Sequence, residues 1–182
     1  MAVARHAQTA SLPDTLITTY LHMTDRSQFI PAFLSEPGVS LMMMQQVDVH
    51  FYKFLYTAVG DIWRWRDRIV MPESELKAAL EDPGTSVHVM YADGVPAGYV
   101  ELYRQGTETE IAYFGLRPAY MGRGLGKHLL SYGIQQAWDG GTTRVHVHTC
   151  NLDAPGALPN YLKRGFSVYN VVMQPMPQRY AI

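Results

Sequence analysis

The apolar positions change their period along the chain, and each change marks an element. Residues 14–24 gather Leu, Ile, Thr and Tyr in the loose alternation of a strand. Residues 39–46 read either as a buried strand or as the start of a helix. After Asp48, a residue suited to capping a helix N-terminus, Phe51, Phe54, Leu55, Ala58 and Val59 recur at i, i+3, i+4, i+7 and i+8 before Gly60. That spacing predicts a helix with one apolar stripe. A shorter helix is expected from Pro72 to Leu80, with Glu73 and Lys77 paired one turn apart and Pro83-Gly84 as its stop.

Beyond Gly84 the period falls to two. Residues 87–92 and 95–103 flank Asp93-Gly94, a pair suited to the positive φ of a type I′ hairpin turn, and Gln105-Gly106 turns the chain again into a strand over 107–116. A helix over 124–138 carries Leu130, Ile134, Ala137 and Trp138 on one face. A strand over 144–149, a helix over 155–164 closed by Gly165, and a strand over 166–173 complete the pattern. Strand, helix, strand over 107–149 calls for parallel neighbours joined by a crossover. The expected fold is α+β, a mixed and mostly antiparallel sheet flanked by helices, in a single domain over 1–182.

Composition narrows the function. With 182 residues and 47% of them hydrophobic, the chain has enough apolar surface to offset its conformational entropy, which excludes a disordered protein. Fifteen Lys and Arg against sixteen Asp and Glu leave a formal charge of −1, so no nucleic-acid partner is expected. The single cysteine, Cys150, can neither close an intrachain disulfide nor build a cysteine zinc site. No apolar run follows Met1–His6, and none anywhere approaches the roughly 20 residues that cross a bilayer. The expectation is a cytoplasmic protein without a membrane partner.

The most informative stretch runs from Leu116 to Lys127. Gly122, Gly124 and Gly126 stand at alternate positions between a strand and a helix. Lacking Cβ atoms, they let the backbone turn sharply and bring its N–H groups up to a ligand, at the helix end where the dipole favours negative charge. The physics points to an anion site, pyrophosphate above all. A P-loop is excluded because Met121 stands where its first glycine belongs and His128 replaces its hydroxyl residue. A dinucleotide fingerprint is excluded because the spacing is Gly-x-Gly-x-Gly and the preceding strand ends an antiparallel meander.

On these residues the chain resembles the GNAT superfamily of acetyl-CoA-dependent N-acetyltransferases. Their phosphate loop runs Gln/Arg-x-x-Gly-x-Gly/Ala, and Met121-Gly122-Arg123-Gly124-Leu125-Gly126 matches it except at its first position, where Met121 replaces the usual polar side chain. A second signature, an asparagine after the fifth family strand followed by a helix ending Tyr-x-x-x-Gly-Phe, is reproduced by Asn151 and Tyr161–Phe166. The resemblance covers residues 86–173, the expected acetyl-CoA-binding core. It is looser over 1–84, the part the family varies and uses for the acceptor.

The resemblance implies a sheet splayed at its centre, with acetyl-CoA in the cleft and pantetheine paired along Phe114, Gly115, Leu116 and Arg117, Gly115 being suited to a bulge. The loop Met121–Lys127 would hold the phosphates and Asn151 the pantetheine. Glu110 is the expected general base and Tyr161 the acid on the departing thiolate. His148 is a reserve base, because an amine of pKa about 10 must lose a proton before it attacks. Tyr52, Tyr56, Trp63, Trp65 and His148 are the candidate acceptor contacts. His146 and His148 share a strand face but lack a clear third ligand, so no metal is expected. Cys150 reads as a small buried hydrophobe.

The implied function is transfer of acetyl to a primary amine of a small molecule. A non-catalytic acyl-CoA sensor or regulatory module, and a transferase acting on proteins or peptides, stay open as alternatives. The oligomeric state, a homodimer included, is open at this point.

Overall fold

The computed structural model of the protein describes residues 12–181. The leading residues, read above as lacking an apolar leader, lie outside them. A seven-stranded sheet organises the rest. Its strands are β1 (Thr15–Met23), β2 (Val39–Met43), β3 (Thr85–Ala92), β4 (Val95–Gln105), β5 (Glu108–Leu116), β6 (Arg144–Cys150) and β7 (Ser167–Pro175). Their spatial order is β2-β3-β4-β5-β6-β1-β7. Only β5 and β6 pair in parallel, as the strand-helix-strand pattern requires; every other pair is antiparallel.

The meander follows the turn chemistry. Asp93 and Gly94 both take positive φ, 51° and 78°, and Gly106 takes 60°. The stretch at 39–46 resolves as an edge strand. Met42 and Met43 stay exposed on this edge strand, with which only β3 pairs among the described residues.

Helices cover both faces. α1 (Val49–Gly60), the short α2 (Asp67–Val70) and α3 (Glu73–Glu81) lie on one side, where Tyr52, Leu55, Val59 and Leu76 pack with Val87, Val89 and Tyr99 of the sheet. α4 (Leu125–Asp139) and α5 (Ala157–Lys163) lie on the other, where Leu129, Leu130 and Ile134 pack with Val100, Ile111 and Val145. Asp48 caps α1 by accepting from the Phe51 N–H. The buried stripe of α1 is turned from the expected one: Tyr52 and Tyr56 are inside and Phe54 is 45% exposed. The ion pairs of α3 also differ from expectation. Lys77 reaches Glu81, and Glu73 meets Lys53 of α1 instead. Among the described residues no helix is long and apolar enough to cross a membrane.

Two features open the sheet. β5 and β6 pair only from Glu108 to Ile111, after which the strands part. The β4–β5 register shifts where Glu101 faces Tyr113 and Leu102 faces Ile111, so the extra residue of the bulge is Ala112. The expected bulge at Gly115 is corrected. That glycine is there because α1 comes close, and a Cβ would fall 2.5 Å from a methyl of Val59.

Candidate active site

The parted strands enclose a cleft of about 570 Å³. Its first end is the glycine loop. Gly122 and Gly124 both sit at φ 78°, and Gly124 is the N-cap residue of α4 with no side chain capping the turn. The left-handed backbone at Gly124 favours glycine, and a Cβ there would come within 3.3 Å of the side-chain ends of both Leu34 and Lys127. The first N–H groups of α4 have no side-chain acceptor among the described residues, and this end of the helix faces the cleft through Gly124, Gly126 and Lys127. Met121 lines the same wall.

The middle of the cleft is the edge of β5 that β6 has left. Phe114, Gly115 and Leu116 line it from one bank, and Ala157, Asn160 and Tyr161 of α5 from the other. Phe114 meets the Tyr161 ring edge-on, and Phe166 supports that ring from the far side. Pro159 falls in the first turn of α5, where a missing N–H costs nothing. Burial and the charge of Asp153 hold the Tyr161 phenol far above its ordinary pKa, so it stays protonated and able to donate. Its hydroxyl has no partner among the described residues.

The far end is aromatic and titratable. Tyr56, Trp63, Trp65, Asp67, Tyr113 and His148 line it, joined by Thr18 and Tyr20 of β1 and by Arg179 and Tyr180 near the C-terminus. The Trp65 indole fills the space over Gly60 and Gly115 and donates to Asp153, which also accepts from Thr149 and the Cys150 N–H. A second cavity of about 310 Å³ adjoins this end, lined by Arg68, Tyr103, Glu110 and His148 among others. Glu110 accepts from His148 Nδ1 at 3.2 Å. That hydrogen bond holds the Glu110 carboxyl below its usual range and raises His148 above 6.5.

Several expected contacts lie elsewhere. Tyr52 is fully buried and donates to Glu101 at 2.5 Å, beside the 2.6 Å ion pair of Glu101 with Arg68; it faces no cleft. Asn151 accepts from the Ile17 N–H and donates to the Thr15 carbonyl, so its amide ties β1 to the end of β6, outside the lining of the cleft. Arg117 donates to the Pro96 carbonyl and stacks on Phe54 and Tyr120. Arg123 pairs with Glu36, and Leu125 is buried in the core. His146 sits near Glu108 rather than in the cleft, and no metal-binding cluster occurs among the described residues. Cys150 lines the cleft, but burial pushes its thiol up to about 11, which leaves it a poor nucleophile.

The contributions of Thr18, Tyr20, Asp153, Arg179 and Tyr180 had no signal in the sequence. They come from both ends of the chain and a loop, and only the strand order brings them together.

Residues 51–166 match the family model described as Acetyltransferase (GNAT) family. No curated protein matches the chain significantly. A GCN5-related N-acetyltransferase from Sphaerobacter thermophilus is similar in structure, with a TM-score of 0.66 and 19% identity over 88% of this chain and 51% of that one. A GCN5-related N-acetyltransferase from Kribbella flavida gives 0.63 and 19%, over 88% and 58%. An aminoglycoside acetyltransferase from an uncultured soil metagenomic sample, in complex with trehalose, gives 0.58 and 16%, over 70% and 87%. The chain thus spans between half and three fifths of the first two proteins. At these identities the likeness is one of fold.

Proposed function

The chain belongs to the GNAT acetyltransferase family, and on that footing we propose that it transfers acetyl from acetyl-CoA to a primary amine of a small molecule by direct attack. One observation carries this reading. The cleft runs from the uncapped start of α4, past an unpaired strand edge, to His148, which pairs with Glu110 of the adjoining cavity.

The residues fit the cosubstrate. Gly122, Gly124 and Gly126 leave room for a diphosphate at the N–H groups of α4, and Lys127 adds a cation beside them. The free edge of β5 around Phe114–Leu116 suits the amides of pantetheine. Bound acetyl-CoA would supply the activated acyl group; the rest falls to this chain.

His148 is the residue we assign as proton acceptor, in place of Glu110. A carboxylate can only accept, so Nδ1 of His148 carries the proton shared with Glu110, and Nε2 keeps a lone pair. The raised His148 pKa matches a base working near neutrality, whereas the lowered Glu110 carboxyl is a weak base. Glu110 is then a positioning residue. Tyr161, protonated and partly facing the cleft, donates to the leaving thiolate.

The test is calorimetry with acetyl-CoA followed by free-thiol release across amino acids, polyamines, aminoglycosides, arylamines and peptides. Binding with turnover of a small amine is expected. Absence of binding overturns the reading, and binding without turnover of any amine would favour the sensor.

A further inference from the structure

The strand pairing sends the chain that leaves β7 toward the cleft. Pro175 faces Thr15 of β1, and Thr18 faces Cys150 of β6, so β7 ends at the same end of the sheet as the parted strands. The Met176 N–H donates to the Asp14 carbonyl, and a short helical turn, Gln178–Tyr180, follows. This turn reaches the bank of α1 and α2. There Arg179 Nε meets Asp67, the first residue of α2, at 2.9 Å, and Arg64 donates to the Tyr180 carbonyl at 3.1 Å. The Arg179 guanidinium also lies over the Tyr180 ring, 4.7 Å from its centroid. Arg64 takes a left-handed φ of 59°; the other non-glycine with positive φ among the described residues is Asp93, in the hairpin turn. That conformation is unfavourable for a residue with a Cβ, and it is kept where Arg64 holds the C-terminal turn.

Arg179 and Asp67 both line the cleft, yet each neutralises the other, so the pair is built as a wall and not as a site for an acceptor's carboxylate or second cation. The rest of this end is aromatic, with Tyr56, Trp63, Trp65 and Tyr113 beside His148. Both side chains of the pair are 46% exposed, and an exposed ion pair is weak. It can yield to a bulky acceptor, at a cost that a compact acceptor does not meet. We propose that Arg179 is a specificity-determining residue: held by Asp67, it narrows the acceptor end of the cleft to compact primary amines. Asp67 is its positioning residue. The inference rests on the transferase reading for what enters the cleft, and its test separates the two.

Free-thiol release with 2-phenylethylamine and with the aminoglycoside sisomicin gives the ratio of kcat/KM between a compact and a bulky amine. In Arg179→Ala that ratio should move toward sisomicin by about 10-fold, with the change in KM for sisomicin. Asp67→Ala should act in the same direction, the double variant should add nothing further, and Arg179→Lys should restore the parent's preference. A ratio unmoved by Arg179→Ala, or additive effects of the two single variants, would overturn the proposal. Acrylamide quenching of tryptophan fluorescence reads the same wall without turnover. Trp63 and Trp65 line the acceptor end, whereas Trp138 is 7% exposed in the core on the other face. Quenching should rise in Arg179→Ala and return to the parent's level in Arg179→Lys; equal quenching in parent and Arg179→Ala would overturn the wall. If no form turns over either amine, the transferase reading fails for both, and the quenching alone decides.

Discussion

The Trp65 indole N–H donates to Asp153 Oδ1 at 3.2 Å, and this bond joins the two banks of the cleft. Trp65 belongs to the bank of α1 and β5, packed against Tyr56 and Tyr113; Asp153 belongs to the loop between β6 and α5. Trp65→Phe keeps a ring and removes the donor. It should cost about 1 kcal/mol in chemical denaturation and weaken acetyl-CoA several-fold by calorimetry. Trp65→Ala, which also empties the space over Gly60 and Gly115, should cost about 3 kcal/mol.

The Glu110–His148 pair gives a signed dependence on pH. The raised His148 contributes stability fully below pH 6.5 and loses it as pH rises through its folded value; the lowered Glu110 contributes above 4.5 and loses it as pH falls through its own. The melting-temperature gap between the parent and Glu110→Gln should therefore be widest between pH 4.5 and 6.5 and shrink toward pH 9. In kinetics the acidic limb of kcat/KM should lie above pH 6.5 in the parent and move lower in Glu110→Gln, as the group that raises His148 is lost. His148→Gln should lower kcat by about 10² or more. An acidic limb unmoved by Glu110→Gln would detach the pair from catalysis.

Two glycine variants separate fold from ligand. Gly126 has no strained φ, and an added Cβ would meet Leu116 at an ordinary 3.7 Å. Gly126→Ala should keep or raise the melting temperature, since alanine gains up to about 1 kcal/mol in a helix, while acetyl-CoA binding falls because the methyl enters the cleft. Gly124→Val faces φ 78° and 3.3 Å neighbours, and should lose both stability and binding. Retained affinity in both would place the phosphates elsewhere.

Tyr161→Phe tests the donor. The ring contacts with Phe114 and Phe166 survive the change, so stability should hold. The value of kcat should fall by about 10-fold or more with acetyl-CoA affinity intact; an unaltered kcat would leave the phenol a packing group.

Arg68→Met should be among the most destabilising changes. It strands Glu101, which is fully buried, without its cation, at a cost of about 3–5 kcal/mol by urea titration. Burial already pushes the Glu101 carboxyl up, and the Arg68 ion pair opposes that push.

Local chemistry was the legible part of the sequence. The Asp48 cap, the Asp93-Gly94 turn and the three glycines before α4 each act over a few residues, and each stands where the pattern put it. What depends on a distant partner was not legible. The phase of α1 is set by Glu101, which offers Tyr52 a buried acceptor and so draws that tyrosine inward in place of Phe54. Gly115 suggested a bulge, yet its lack of a side chain serves Val59, while the bulge falls on Ala112. Asn151 stands where the motif expects it, but its amide is used by a strand from the other end of the chain.

That strand, β1, is flanked by β6 and β7, which lie more than a hundred residues downstream. During synthesis it must wait, unpaired, until β6 has left the ribosome, and β7 cannot dock before it. Closure of the sheet is thus a late, long-range event of the kind that slows folding. Loss of β1 should therefore release β7 to proteases while the β3–β4–β5 meander endures.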